Sequence, residues 1–377
     1  MKKILQVDDD AVVLEIYRQK FVRNGFEVET ATDGLAAVRS LSASRPDLVV
    51  LDLMMPKLSG VDVLKFIRGR PAVAPIPVVI LTNSFMGLRG QEASSLGVER
   101  AISKSECTPA RLLAIANDVI SGKPAAAAPP PAPAEATEAG NQVRAAFMGN
   151  RAVTLATLRE LYAQFLKAGD DAARGLALDN FYRKVHYVTA LAGLAQCPEI
   201  ALLCGAFEAL LFELREKPRY INPSSLRTIS QALDFLAVLF EGAHRKASPT
   251  PLNAQVLVVD DDPLSNRLVV AALNRAHLKG RSTENPLLAL ELLKQSHYDL
   301  VLLDVEMPHM TGFDLCRRLR SLPGYAQTPV IYVTGRSDFE NRALSALTTG
   351  TDLIGKPVFA IELAVKAVTH LIQSRRV

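Results

Sequence analysis

The apolar positions of this chain change period twice. Up to residue 121, and again from 255, short apolar runs alternate with amphipathic stretches. Between 142 and 247 apolar positions recur at helical spacing only. Leu300–Leu303 is apolar without alternation, which reads as a strand buried on both faces of a parallel sheet. The run stops at Asp304, Met307-Pro308 breaks the chain, and Gly312 permits a tight turn into a helix. Leu48–Leu51, Asp52, Met55-Pro56 and Gly60 repeat that pattern. Strands are also expected at Ile4–Val7, Val28–Thr30, Pro77–Leu81 and Val98–Ile102, and in the later segment from Gln255 and over Val330–Val333. Val12–Asn24 reads as a helix stopped by Gly25, and Thr108-Pro109 as an N-cap with proline at N1. This βα alternation predicts two doubly wound parallel sheets with helices on both faces.

Thr154–Lys167, Asp170–Ala195, Glu199–Arg215 and a stretch from Asn222-Pro223 through Phe240 carry helical stripes, which predict a central four-helix bundle. Lys123–Asn141 reads KPAAAAPPPAPAEATEAGN, the composition of an extended, semi-rigid spacer. The fold class is therefore α/β plus all-α. Its segments are 1–121 (α/β), 122–141 (linker), 142–247 (helical) and 255–377 (α/β).

The two α/β segments are copies of one fold. At an offset of 252 residues, Asp8-Asp9-Asp10 falls on Asp260-Asp261-Asp262, Asp52 on Asp304, Thr82 on Thr334 and Lys104 on Lys356. Both copies keep steps of 44, 30 and 22 residues from first acid to central Asp, to Thr, to Lys. Three carboxylates converging at strand ends repel one another, and a hard divalent cation relieves that repulsion. Mg²⁺ suits such a site because it takes few protein carboxylates and pairs with phosphoryl oxygens. The central Asp is then a nucleophile, and the Thr hydroxyl and Lys ammonium can bind the other phosphoryl oxygens.

These anchors resemble the receiver domains of two-component response regulators, which have a flavodoxin-like fold. The resemblance implies that Asp52 and Asp304 accept phosphoryl groups from a phosphohistidine, with Thr82, Lys104, Thr334 and Lys356 in support. It implies a Mg²⁺ site of Asp8, Asp9, Asp52 and Met54 in the first copy, and of Asp260, Asp261, Asp304 and Glu306 in the second. The first copy departs from the family pattern at Asn83 and Ser105, where the second has Gly335 and Pro357. In the family, the positions of Glu306 and Arg336 govern phosphate lifetime, and here the pair could bridge the site mouth. The first copy has Met54 and Ser84 there.

His186 lies one position off the stripe Phe181, Val185, Val188, Ala192 and Ala195. It is therefore expected to point outward over small residues, with Arg183 and Lys184 beside it. With Thr189 and Ala190 at three and four residues, it resembles the site of histidine phosphotransfer domains.

Composition narrows the function. The net charge of +4 is small for 377 residues, and no dense basic stripe suggests nucleic-acid binding. Four Cys without metal spacing read as reduced thiols of a cytoplasmic protein. No signal peptide or membrane span is expected. The reading is a cytoplasmic phosphorelay protein, not an enzyme on other substrates, with a sensor histidine kinase or phosphotransfer protein as partner. Its output would be by protein–protein contact with a downstream target. The alternative is a phosphorylation-controlled adaptor whose bundle is only structural. A phosphatase of haloacid dehalogenase type would want a second Asp where Met54 and Glu306 stand.

Overall fold

The computed structural model describes residues 1–55, 58–82, 92–93, 95–104, 107–122, 138–242, 254–276, 278–335 and 352–376. Its contacts form two compact units, residues 1–167 with 180–208, and residues 168–179 with 209–377.

The first unit holds a five-stranded sheet in the order β2-β1-β3-β4-β5, with every pair parallel. The strands are β1 (Lys3–Val7), β2 (Glu27–Ala31), β3 (Leu48–Leu51), β4 (Val78–Thr82) and β5 (Arg100–Ser103). All of β3 is buried, as its unbroken apolar run requires. Helices α1 (Ala11–Arg23), α2 (Gly34–Ala43), α3 (Gly60–Arg68) and α4 (Pro109–Ile120) accompany the sheet. Their starts are written locally. Asp10 accepts from the Val12 and Val13 amides to cap α1, Ser59 and Asp62 close a capping box on α3, and Thr108 caps α4 ahead of Pro109.

The same unit holds α5 (Glu138–Gly149), α6 (Arg151–Lys167), residues 180–194 of α7 (Asp171–Leu194) and residues 198–208 of α8 (Pro198–Glu216). The helical region thus begins at Glu138, inside the stretch expected to be linker; the Pro-rich part before it lies outside the described residues. Tyr162 of α6 meets Phe181 of α7 at 5.9 Å between ring centroids, and Phe181 meets Phe207 of α8 at 5.5 Å.

The second unit repeats the sheet as β7-β6-β8-β9-β10, again all parallel. Its strands are β6 (Gln255–Val259), β7 (Lys279–Thr283), β8 (Leu300–Asp304), β9 (Val330–Thr334) and β10 (Asp352–Gly355). Its helices are α9 (Pro223–Gly242), α10 (Pro263–Arg275), α11 (Pro286–Gln295), α12 (Gly312–Arg320) and α13 (Ala360–Ser374). Helix α9 lies against α13 through polar contacts. Ser224 and Thr228 donate to Glu362 at 2.6 and 3.0 Å, and the Lys366 ammonium binds both Asp352 oxygens at 2.9 and 2.8 Å and Gln231 at 3.0 Å. Tyr220 stacks on Phe359 at 4.3 Å.

The repeat extends to interactions that no motif advertises. Asp47 accepts from the Lys3 amide at 2.7 Å, and Asp299 from the Gln255 amide at 2.8 Å. Arg68 and Arg320 each donate to main-chain carbonyls of the loop before the fourth strand of their sheet. No helix among the described residues is long and apolar enough to cross a membrane. The four cysteines are buried, and none forms a disulfide among the described residues.

Candidate functional site

Strand register builds both sites. In the first sheet Val7 pairs with Leu51, so Asp8 and Asp52 leave adjacent strands side by side. Thr82 pairs with Ser103, so Lys104 emerges at the same edge. Glycine is required just beyond the central Asp, because a Cβ on Gly60 would stand 2.0 Å from the Asp52 carbonyl oxygen. On Gly312 it would stand 2.2 Å from that of Asp304.

In the first site the Lys104 ammonium lies 2.6 Å from Asp8 Oδ2 and 2.8 Å from Asp52 Oδ2. Asp8, Asp52 and Lys104 are buried, and Asp9 is half-buried. Asp52 Oδ1 accepts the Met54 amide at 3.0 Å, and Asp8 Oδ1 accepts the Asp10 amide at 3.0 Å. Burial pushes the Asp8 carboxyl up to about 6 against the pull of Lys104, and burial raises Asp9 as well. Burial would also raise Asp52, but the charges of Lys104 and His186 outweigh it and hold this carboxyl below its usual range. Burial disfavours the Lys104 ammonium, yet Asp52 and Asp8 keep it well above the ordinary lysine value. Thr82 ends β4 beside these groups.

The second site has the same geometry with a more open mouth. Lys356 Nζ lies 2.9 Å from Asp260 Oδ2 and 3.0 Å from Asp304 Oδ2. Ser265 Oγ donates to Asp260 Oδ2 at 2.5 Å, and Thr334 is buried at the end of β9. Asp261 and Glu306 are exposed. Burial raises the Asp304 carboxyl, with Lys356 opposing. Asn83, Ser84, Ser105 and Arg336 lie outside the described residues. So do Pro56 and the side chain of Thr82.

His186 does not point outward. It is 4% exposed, and within the first unit its ring enters the Asp8–Asp9–Asp52 cluster. Nε2 lies 3.6 Å from Asp9 Oδ1, while Nδ1 pairs with Glu208 Oε1 of α8 at 2.8 Å. Ala190, expected to face solvent, is 2% exposed and belongs to the apolar cluster of Ile4, Val13, Leu81 and Leu112, with Leu194 against it. Periodicity did locate the stripe of Phe181, Val185 and Val188, which is buried. It could not show that the neighbouring face is covered by another part of the unit. Burial disfavours the imidazolium, but the Glu208 carboxylate beside it holds His186 up to about 9.

Sequence reasoning missed Glu208. The signal available was a lone carboxylate inside the apolar run ALLCGAFEALLF, since a charge on a buried face needs a partner.

These folds and sites define a class: parallel α/β domains in which an acid cluster and a lysine converge on an aspartate at a strand end. The response regulator receiver domain family matches residues 4–117 and 256–368, and the chain belongs to that family. It is 43% identical over 82 residues to response regulator MprA of Mycobacterium tuberculosis, covering 22% of this chain and 36% of that protein. It is 41% identical over 110 residues to the transcriptional regulatory protein CpxR homolog of Haemophilus influenzae, covering 29% of this chain and 44% of that one. Among solved structures, chemotaxis response regulator CheY4 of Vibrio cholerae is 28% identical, with a TM-score of 0.30, over 32% of this chain and 98% of that chain. The chain spans less than half the length of the curated relatives it matches. Two response regulator receiver domains indicate a part in two-component signalling.

Proposed function

We propose that the chain is a phosphorelay response regulator. Asp52 and Asp304 accept phosphoryl groups from a sensor histidine kinase or phosphotransfer protein, and His186 exchanges phosphate with Asp52. The observation that carries this reading is the position of the imidazole. Glu208 takes Nδ1–H, so Nε2 faces the carboxylates, and loss of its proton frees a lone pair there. In the transfer an Asp52 Oδ–P bond breaks as an Nε2–P bond forms, and the carboxylate recovers its charge. Lys104 already contacts Asp52 and is placed to hold phosphoryl charge.

A divalent cation fits the residues present. Asp9 Oδ1 is buried without a hydrogen-bond partner among the described residues, and the carboxylates of Asp8, Asp9, Asp52 and Glu208 outnumber the charges of Lys104 and His186. Mg²⁺ held by Asp8, Asp9 and Asp52, with Met54 at the main chain, would supply charge neutralisation for the entering phosphoryl group. In the second copy Asp260, Asp261 and Asp304, with Glu306 beside them, would do the same.

The covering of His186 and Ala190 favours a second reading, an adaptor whose helices cap the first receiver until it is phosphorylated. One experiment separates the two. The full chain is incubated with a small phosphodonor and Mg²⁺ and weighed intact. Two additions are expected, falling to one in Asp304→Asn and to none in Asp52→Asn/Asp304→Asn. Acid-labile, base-stable phosphate on His186, absent in His186→Gln, supports the relay. Its absence with a cognate kinase present leaves the adaptor.

A further inference from the structure

We propose that His186 is a ligand of the divalent cation at the first acidic site, so that the two receivers bind metal through different donor sets. One atom from each of Asp8, Asp9, Asp52 and His186 lies within 4.8 Å of all the others. Two ligands about 2.1 Å from a common cation stand roughly 3 to 4 Å apart, so this group closes on a cation with small side-chain movements.

The ring carries the second observation. His186 is more than nine-tenths buried, and its Nε2 has no hydrogen-bond partner among the described residues. Asp9 Oδ1, 3.6 Å away, is itself buried and without such a partner. At 3.6 Å the two atoms make no hydrogen bond to each other, and two buried atoms left with only a long ion contact in one acidic pocket are costly unless something sits between them. A cation with one nitrogen and three oxygen donors satisfies both.

The far side of the ring supports the same assignment. Metal-bound histidines hand their other N–H to a carboxylate, which fixes tautomer and ring orientation. Glu208 Oε1 occupies that place at 2.8 Å and is fully buried. A surface histidine would not need a buried carboxylate behind it.

The second site is the internal comparison. There Asp260, Asp261 and Asp304 cluster without a nitrogen donor among the described residues. Oxygen-only donors suit Mg²⁺, whereas an imidazole shifts preference towards Mn²⁺ or Zn²⁺. With His186 in place the first site therefore prefers Mn²⁺ or Zn²⁺ to Mg²⁺, the cation pins α7 against the first sheet, and external phosphodonors reach Asp52 only after Nε2 lets go and leaves the Mg²⁺ site of Asp8, Asp9 and Asp52.

The inference holds whether or not His186 ever carries phosphate. The test uses the full chain with Asp260→Asn/Asp304→Asn, which leaves the first site to bind one equivalent of Mn²⁺. Pulsed electron paramagnetic resonance then reads ligand nuclei directly. Nitrogen modulation from an imidazole is expected, and it should vanish in the same chain carrying His186→Gln. Mn²⁺ affinity should fall about 10- to 100-fold with that change, and Glu208→Gln should weaken binding while keeping the nitrogen signal. Mn²⁺ bound without nitrogen modulation overturns the proposal, as does failure to bind Mn²⁺ or an affinity indifferent to His186→Gln. Nitrogen modulation without phosphohistidine keeps the ligand and sinks the relay; phosphohistidine without modulation does the reverse.

Discussion

Lys366→Met tests how the second unit is held together. The ammonium is 1% exposed and the Asp352 side chain 6%. Removing it deletes two contacts to Asp352, at 2.8 and 2.9 Å, and one to Gln231 of α9 at 3.0 Å. What remains for the carboxylate is His370 Nε2 at 3.0 Å, the Leu353 amide at 2.7 Å and Gln231 at 3.4 Å. Breaking a buried ion pair from one side costs about 3–5 kcal/mol, and the surviving His370 contact places this case at the low end, about 3 kcal/mol. Burial opposes the charge on Asp352, but His370 and Lys366 hold its carboxyl well below the usual range, and of these two only His370 remains in the variant. A loss of about 3 kcal/mol should speed hydrogen exchange of the most protected α13 amides about 100-fold in the full chain. The double variant Lys366→Met/Asp352→Leu removes both charges and should recover most of the loss. Unchanged exchange in the single variant, or a double variant worse than the single, would refute the reasoning.

Gly312→Ala forces a Cβ to within 2.2 Å of the Asp304 carbonyl oxygen, so a cost of about 1–3 kcal/mol and slower phosphorylation of Asp304 are expected. An unshifted thermal melt would show that the loop yields freely. Ala190→Arg places a guanidinium in the apolar cluster beside the first sheet. An overpacking cost of about 1–3 kcal/mol shifts the docked population by about 5- to 100-fold, so Asp52 should be phosphorylated faster by a small donor and His186 should stop exchanging phosphate. A small-donor rate equal to wild type would argue that α7 does not restrict the site.

Sequence alone determined what depends on neighbours along the chain. The unbroken apolar runs ending at Asp52 and Asp304 specified buried parallel strands, and equal spacing in both copies placed an acid pair and a lysine at one edge of each sheet. That is legible because strand ends in a parallel sheet lie together, so order along the chain maps onto the site. Caps such as Asp10 and Thr108 were legible for the same reason. What covers a helix face is not written in its period. His186 and Ala190 lie beside the stripe that periodicity marks, and only the packed first unit brings the acid cluster and Glu208 to that face. The Lys366–Asp352 pair was equally hidden. Its partner Gln231 is 135 residues away on α9, and nothing in a helical repeat shows that a lysine will be buried against a helix from another part of the chain.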